Sequence, residues 1–373
     1  MVQLKYSSLI FNLFFFFLFT INILFDDLNS LFYVIPLVIF SAFNFNYFIT
    51  QLDYKFFIVF IPIVISCLLN SSVIEMIYFF CFFNFWYLDR NYFNNKFYLF
   101  IFFYSLFLYF ISIFFFNLTD IRGLIPFIQN HNKIPAYSIS LFDNLSVTAT
   151  SFFGLLLFLF GTTVKKGYIK FFFLAFGVYF ILFGASRLSL ILLLYSIIVK
   201  YFLNKKSHII IFSFIIFFLP IFFIFLPNLL DLVPEDLVFL IQKDRPKYSI
   251  FTDPRVFTAL EYFSIINKSP FFGVGDLNFR EIFDMNDLPF SELQILLFTA
   301  KFGVISLITF LYFFTNRLYL NILNYNKHKV IVYFVFLFLM TYYGSFLQAY
   351  NFLFLLLISL LYVQKKQIII DGV

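Results

Sequence analysis

Ile209-Ile210-Ile211-Phe212-Ser213-Phe214-Ile215-Ile216-Phe217-Phe218-Leu219-Pro220-Ile221-Phe222-Phe223-Ile224-Phe225-Leu226 runs for 18 residues without a charged side chain, and its reading decides the fold. The run is apolar on every side. It lacks the alternation of a half-buried strand and the single stripe of a surface helix. About 20 such residues span the hydrocarbon of a bilayer as a helix. Comparable runs recur along the chain: Ser8–Phe25, Leu31–Thr50, Phe56–Leu69, Val73–Leu88, Phe97–Phe116 and Ser146–Thr163 in the first part. Ile169–Phe183, Leu188–Leu203, Phe290–Phe314, Val330–Tyr343 and Phe346–Val363 follow, which with the opening run makes about 12 spans.

Composition agrees. Hydrophobic residues make up 63% of the chain, charged residues 12%, and the mean hydropathy is +0.97. A soluble domain carries roughly 25% charged residues, so this surface is matched to lipid rather than to water. In lipid every backbone polar group needs an internal partner, which leaves helices or a closed barrel. Barrel strands alternate apolar with polar residues, and these runs do not. The 70 Phe residues read as lipid-facing bulk and as the mark of an AT-rich coding sequence. Cys67 and Cys81 lie inside apolar runs, as buried thiols rather than a disulfide framework or a zinc site. The net charge of +6 is dispersed over short loops, which does not make a nucleic-acid surface. The first run ends at Asp26-Asp27 with no small-residue cleavage pattern, so it is expected to be an anchoring helix.

Orientation follows from the loop lysines. Lys5, Lys55, Arg90 with Lys96, Lys165-Lys166 with Lys170, Lys205-Lys206, Arg317 with Lys327 and Lys329, and Lys365-Lys366 fall on alternate connections. The opposite connections open with Asp26-Asp27 and Asn70-Ser71-Ser72. Both termini are therefore expected in the cytoplasm. Residues 117–145 and 227–289 become outside loops, and the second holds more than half of the acidic residues. The expected organisation is residues 1–226 as N-terminal spans, 227–289 as the large outside loop and 290–373 as C-terminal spans. Inside the large loop, Arg255 to Lys268 places Val256, Ala259, Leu260, Phe263 and Ile266 at helical spacing, between Pro254 and Ser269-Pro270. This predicts an amphipathic helix lying on the membrane surface or on the bundle, with packing as its plainest role.

Arg122, Arg187, Arg245, Arg255 and Arg280 all fall on the outside, against the usual bias, and they are Arg where the inside loops are mostly Lys. Guanidinium forks bind phosphate bidentately, whereas Lys acts as a point charge. The pattern points to an anionic, phosphate-bearing lipid substrate. For Arg187, in the tight turn Gly184-Ala185-Ser186-Arg187, the plain alternative is interfacial snorkelling. There is no D-x-D, H-E-x-x-H or cysteine pair at ligand spacing, and His131, His208 and His328 are scattered, so the expected chemistry is metal-independent and without a cofactor.

Three stretches carry a resemblance. Phe183-Gly184-Ala185-Ser186-Arg187-Leu188-Ser189-Leu190 is the first. Arg255 through Gly275, ending in Asn267-Lys268-Ser269-Pro270-Phe271-Phe272-Gly273-Val274-Gly275, is the second, and Glu292 to Ile305, with Lys301-Phe302-Gly303-Val304-Ile305, is the third. In this order they resemble the turn, large-loop and following-span patterns of the O-antigen polymerase and O-antigen ligase superfamily of bacterial inner membranes. Ligases of the superfamily hold a His-Asn pair eleven residues before the span glycine; here that position is Glu292-Leu293, which favours the Wzy-type polymerase. The resemblance implies an all-α polytopic enzyme of the inner membrane that polymerises undecaprenyl-pyrophosphate-linked oligosaccharide repeat units at the periplasmic face. Membrane lipids surround it, and a chain-length regulator protein is the implied partner. Arg187 and Arg255 are the expected pyrophosphate residues, with Arg122 and Arg280 behind them, and Gly273 and Gly275 would permit a tight turn near the site. Glu292 is the expected functional carboxylate; its plain alternative is a helix-end residue stabilised by the dipole. The alternatives in function are a ligase passing glycan to lipid A core and a flippase for lipid-linked glycans.

Overall fold

The computed structural model describes residue 13, residues 31–87, most of 100–107, and residues 147–164, 167–183, 187–224, 254–275, 294–342 and 357–362. Among the described residues every regular element is a helix. In chain order they are α1 (Leu31–Gln51), α2 (Tyr54–Leu69), α3 (Val73–Trp86), α4 (Val147–Gly161) and α5 (Gly167–Phe183). α6 (Arg187–Ile197) follows and runs on into a π-helical turn, Ile198–Phe202. α7 (Lys206–Ile224), α8 (Pro254–Lys268), α9 (Gln294–Leu323) and α10 (Lys327–Tyr342) complete the set, with a single 3-10 turn at Leu360–Tyr362. These elements lie where the apolar runs predict them. The expected spans Ser8–Phe25, Phe97–Phe116 and Phe346–Val363 lie wholly or largely outside the described residues, as does the 117–145 loop. One described helix, Ile295–Leu323, is long and apolar enough by itself to cross a membrane; several others are apolar but shorter.

The chain divides into two compact units. The first takes the described residues of Met1–Leu52, Ile77–Lys200 and Gln348–Val373. Its closest helix pair is α4 with α5. A Cβ on Gly154 would stand 2.7 Å from the Gly177 carbonyl oxygen, and one on Gly177 would stand 2.7 Å from the Phe158 nitrogen. Small residues at facing positions let the two backbones touch, the usual device where side-chain burial alone cannot drive helices together in an apolar medium. Above the contact, Phe102 stacks on Phe160 at 4.7 Å between ring centres. α1 and α3 are joined by polar groups instead: Asn44 Nδ2 donates to Asn84 Oδ1 at 2.7 Å, and Asn84 Nδ2 donates to the Ser41 carbonyl at 3.0 Å. Both asparagines are fully buried.

The second unit takes Asp53–Met76 and Tyr201–Leu347. α9 is its axis, contacting α2, α7, α8 and α10. α10 is buried from Val330 to Tyr342 without interruption, which is what an all-round apolar helix requires of its position. Phe314 and Phe336 hold it to α9 at 4.6 Å, and the Tyr342 hydroxyl donates to the Phe217 carbonyl of α7 at 2.7 Å. α2 runs antiparallel to α9. At the start of α2, Asp53 caps the helix by accepting from the Phe56 N–H at 3.0 Å, and its other oxygen meets Arg317 near the end of α9 at 3.3 Å. Arg317 also lies over the Phe313 ring, 5.3 Å from its centre. At the far end of α2, Ser66 reaches the first third of α9. Cys67 in α2 and Cys81 in α3 are free and buried.

Two features differ from the sequence reading. The span predicted as Phe290–Phe314 continues to Leu323 and is interrupted at Gly303, whose φ of 81° and ψ of 168° are not helical. α8 forms where predicted and buries Ile266 as expected, but it also turns Tyr262 and Ile265 inward, onto Val274, Leu297 and Ala300. Leu260 and Phe263, expected on the packed face, are 61% and 51% exposed. α8 carries apolar side chains on more than one side, so spacing alone does not identify the side that meets protein.

Candidate functional site

The interruption of α9 is where two of the three quoted stretches, the end of Arg255–Gly275 and Lys301–Ile305, meet. A helix that breaks inside an apolar segment strands carbonyls and amides of the turn it loses, and each buried orphan costs about 1–3 kcal/mol. Here another segment supplies the partners. The Ser269–Gly275 loop, directly after α8, lies along residues 300–304. Val274 N–H donates to the Ala300 carbonyl at 2.9 Å and Gly275 N–H to the Lys301 carbonyl at 3.1 Å. In return Val304 N–H donates to the Pro270 carbonyl at 2.8 Å. Within the loop, Gly273 N–H closes a turn onto the Ser269 carbonyl at 2.9 Å.

α2 supplies the third side. The buried Ser66 hydroxyl donates to the Phe272 carbonyl. Asn70, which caps the end of α2, donates from Nδ2 to its own helix at the Ser66 carbonyl, 2.9 Å, and to the Gly273 carbonyl at 3.3 Å. Three segments far apart in the chain thus meet here, the loop and α9 backbone to backbone and α2 through its Ser66 and Asn70 side chains.

Glycine makes the junction possible. Gly303 sits in a region of backbone space that is essentially closed to residues with a Cβ, and a Cβ there would run into the Phe271 carbonyl. Gly273, at φ 71°, lies against the Lys301 carbonyl, and a Cβ would stand 2.6 Å from the Phe302 nitrogen. Gly275, at φ 79°, faces the Asn70 side chain in the same way. Both predicted glycines therefore belong to a tight backbone turn, and the turn is welded to a span.

The electrostatic feature of the junction is Lys301. It is the only charged residue between Gln294 and Asn316, and it is half-buried.

The predicted site residues divide as follows. Gly273 and Gly275 come together with Ala300, Lys301 and Asn70. Arg255 is the second residue of α8, in the same unit as the junction, and Arg187 opens α6 in the first unit; the side chains of both lie outside the described part of the structure. Arg122, Arg280 and Glu292 lie outside the described residues, as do Arg245 and His131. The structure adds Ser66 and Asn70. In the sequence Asn70 reads only as part of a loop, and Ser66 carries no signal beyond being a hydroxyl in an apolar run.

Comparison with known protein families, with characterised proteins and with solved structures finds no match for this chain.

Proposed function

We propose that the chain is a polytopic inner-membrane glycosyltransferase of about 12 spans that polymerises lipid-diphosphate-linked oligosaccharide repeat units at the outer face of the membrane. One observation carries the reading: two of the three stretches that resemble the O-antigen polymerase superfamily, Ser269–Gly275 and Lys301–Ile305, are bonded to each other backbone to backbone. That they meet in space while lying tens of residues apart supports reading them as parts of one site.

Other features fit. Large apolar side chains face outward on several helices, among them Phe43 at 57%, Phe171 at 74%, Phe214 at 65% and Ile308 at 60%. Soluble proteins seldom expose so much apolar surface, and lipid is the medium that suits it. In the second unit, Asp53 with Arg317 and Asn204 with Lys327 stand at the end of the α2–α9 pair opposite the Ser269–Gly275 loop. That is the arrangement the lysine alternation calls for, with the loop outside and the Arg317 end in the cytoplasm.

In the reaction, the bond from the anomeric carbon of the donor glycan to its diphosphate breaks. A hydroxyl of the acceptor repeat unit forms the new glycosidic bond and gives up its proton to Glu292. Arg187 and Arg255, with Arg280 and Arg122, stabilise the negative charge gathering on the departing diphosphate, the kind of electrostatic assistance that often dominates such catalysis. The test is the surface glycan of a deletion strain. Single capped repeat units are expected; loss of all capping would make the protein a ligase, and an unchanged polymer would remove it from the pathway.

A further inference from the structure

At the Arg317 end of the second unit, two lysine-bearing loops are tied together. Lys327 Nζ, at the start of α10, donates at 3.2 Å to Oδ1 of Asn204, which stands 123 positions earlier, just before α7. Tyr325 makes the same tie: its hydroxyl donates to the Asn204 carbonyl, and the Lys327 ammonium lies 5.5 Å from its ring centre. Further along, Phe217 of α7 meets Phe338 and Tyr342 of α10, so the two helices run side by side in the same direction. Parallel helices bring the positive ends of their dipoles together, where carboxylates are the favoured company. The first turns of α7 and α10 hold no acidic residue and carry Lys206, His208, Lys327, His328 and Lys329 instead, with Lys205 directly before α7. Among the described residues of this unit the carboxylates are Asp53, Glu75 and Glu261. Glu261 lies in α8 and Glu75 in the first turn of α3, away from this end, and Asp53 is engaged by Arg317 and by the α2 cap. The excess of positive charge suits an anion. Exposed apolar and aromatic side chains flank it: Tyr201 and Phe202 before Asn204, Tyr319 and Leu323 in the last turns of α9, and Tyr325 itself. A soluble polyanion needs charge alone, whereas cations set among exposed rings fit the boundary between headgroups and acyl chains. The sidedness of the chain asks for lysines in each inside loop; it does not ask that two such loops be bonded together.

We propose that Lys205, Lys206, Lys327 and Lys329 form one binding site for an anionic phospholipid headgroup of the inner leaflet, and that a lipid with two phosphates fills it best. The inference rests on the membrane reading above and goes beyond it, because the site lies at the opposite end of α9 from the Ser269–Gly275 loop and takes no part in glycan transfer. Each loop brings one pair of lysines, so a headgroup with two phosphates can meet one pair with each. Basic clusters between spans on the cytoplasmic side recognise headgroups through this kind of charge pairing. The exposed rings of Tyr201, Phe202 and Tyr325 then lie against the acyl chains and the glycerol level of the same lipid.

The experiment uses the full-length protein in an uncharged detergent, with fluorescent cardiolipin as the probe. Lys205→Gln combined with Lys206→Gln is expected to weaken binding about tenfold or more, and so is Lys327→Gln combined with Lys329→Gln. Arginine at all four positions should stay within about threefold of wild type, because the charge is kept. Lys268→Gln, exposed at the end of α8, is expected to bind as wild type does. Wild-type affinity in either double-glutamine variant would overturn the shared site. Equal binding of fluorescent phosphatidylcholine would show that charge is not what is read, and overturn it too. Displacement by tripolyphosphate as effective as by unlabelled cardiolipin would hand the patch to a soluble polyanion and overturn the lipid assignment. So would failure of the glutamine variants to accumulate when the arginine variant accumulates, because the charge would then serve folding. No sugar is transferred in this assay, so its outcome stands apart from that of the deletion strain.

Discussion

Replacing Gly303 by alanine attacks the junction at its narrowest point. The backbone conformation at Gly303 costs a residue with a Cβ about 1–3 kcal/mol, and the new methyl would run into the Phe271 carbonyl. The loop cannot stay where it is. Its departure breaks the bonds of Val274 to Ala300, Gly275 to Lys301 and Val304 to Pro270, each worth about 0.5–1.5 kcal/mol net. The strain and the overlap with the Phe271 carbonyl weigh against the docked state, whereas the three bonds, together about 1.5–4.5 kcal/mol, favour it, and their loss is offset in part if α9 closes into a continuous helix and makes its own bonds. The loop is therefore expected to detach while α9 survives. Val274 is buried in the docked state, so a Val274→Cys thiol reports the change. With about 3 kcal/mol shifted, its labelling in membranes should quicken about a hundredfold in the Gly303→Ala background. The two native cysteines are buried and give a low blank. Labelling that stays as slow as in the glycine parent, in a protein that accumulates normally, would refute the argument that the loop is welded to a broken helix.

Four further outcomes are expected. A β-galactosidase fused after Asp253 should be inactive and a phosphatase fused there active; the reverse would sink the orientation read from the lysines. Arg187→Ala and Arg255→Ala should each abolish chain growth at normal expression, with lysine rescuing only partly because it lacks the fork; normal polymer from both alanine variants would remove the assigned role. Glu292→Gln should shorten or abolish the polymer, and wild-type polymer in amount and length would make Glu292 a helix-end residue. Asp53→Ala should lower stability by about 1–2 kcal/mol, mostly through loss of the α2 cap and little through the partly exposed Arg317 pair, read as a lower melting temperature that Asp53→Asn largely restores.

Helix positions were legible because the physics behind them is local. A run such as Ile169–Phe183 is too long and too uniformly apolar to be anything else, and α5 occupies Gly167–Phe183. α8 was legible as a helix from its flanking prolines and its 3.6-residue spacing, and it forms at Pro254–Lys268. Its packed face was not legible. Apolar side chains lie on more than one side of α8, so hydrophobicity does not say which side turns inward. Tyr262 and Ile265 face the core because α9 offers Leu297 and Ala300 there.

The candidate site divides in the same way. Gly273, Gly275 and Gly303 stand out in the sequence because residues without a Cβ mark backbone that is close-packed or left-handed. What each glycine approaches is a matter of tertiary structure. Gly303 lies against Phe271 and Gly275 against Asn70, partners about 30 and 200 positions away. Ser66 and Asn70 became part of the site only through hydrogen bonds to Phe272 and Gly273. Composition and charge by themselves determined an all-helical chain and, through the lysine alternation, an expected direction for each helix. They act through solvent and through neighbours along the chain, so each segment reveals them alone. The break in α9 and the weld that satisfies it needed the fold, because a stranded carbonyl in one segment can be answered only by an amide that three-dimensional packing brings from another.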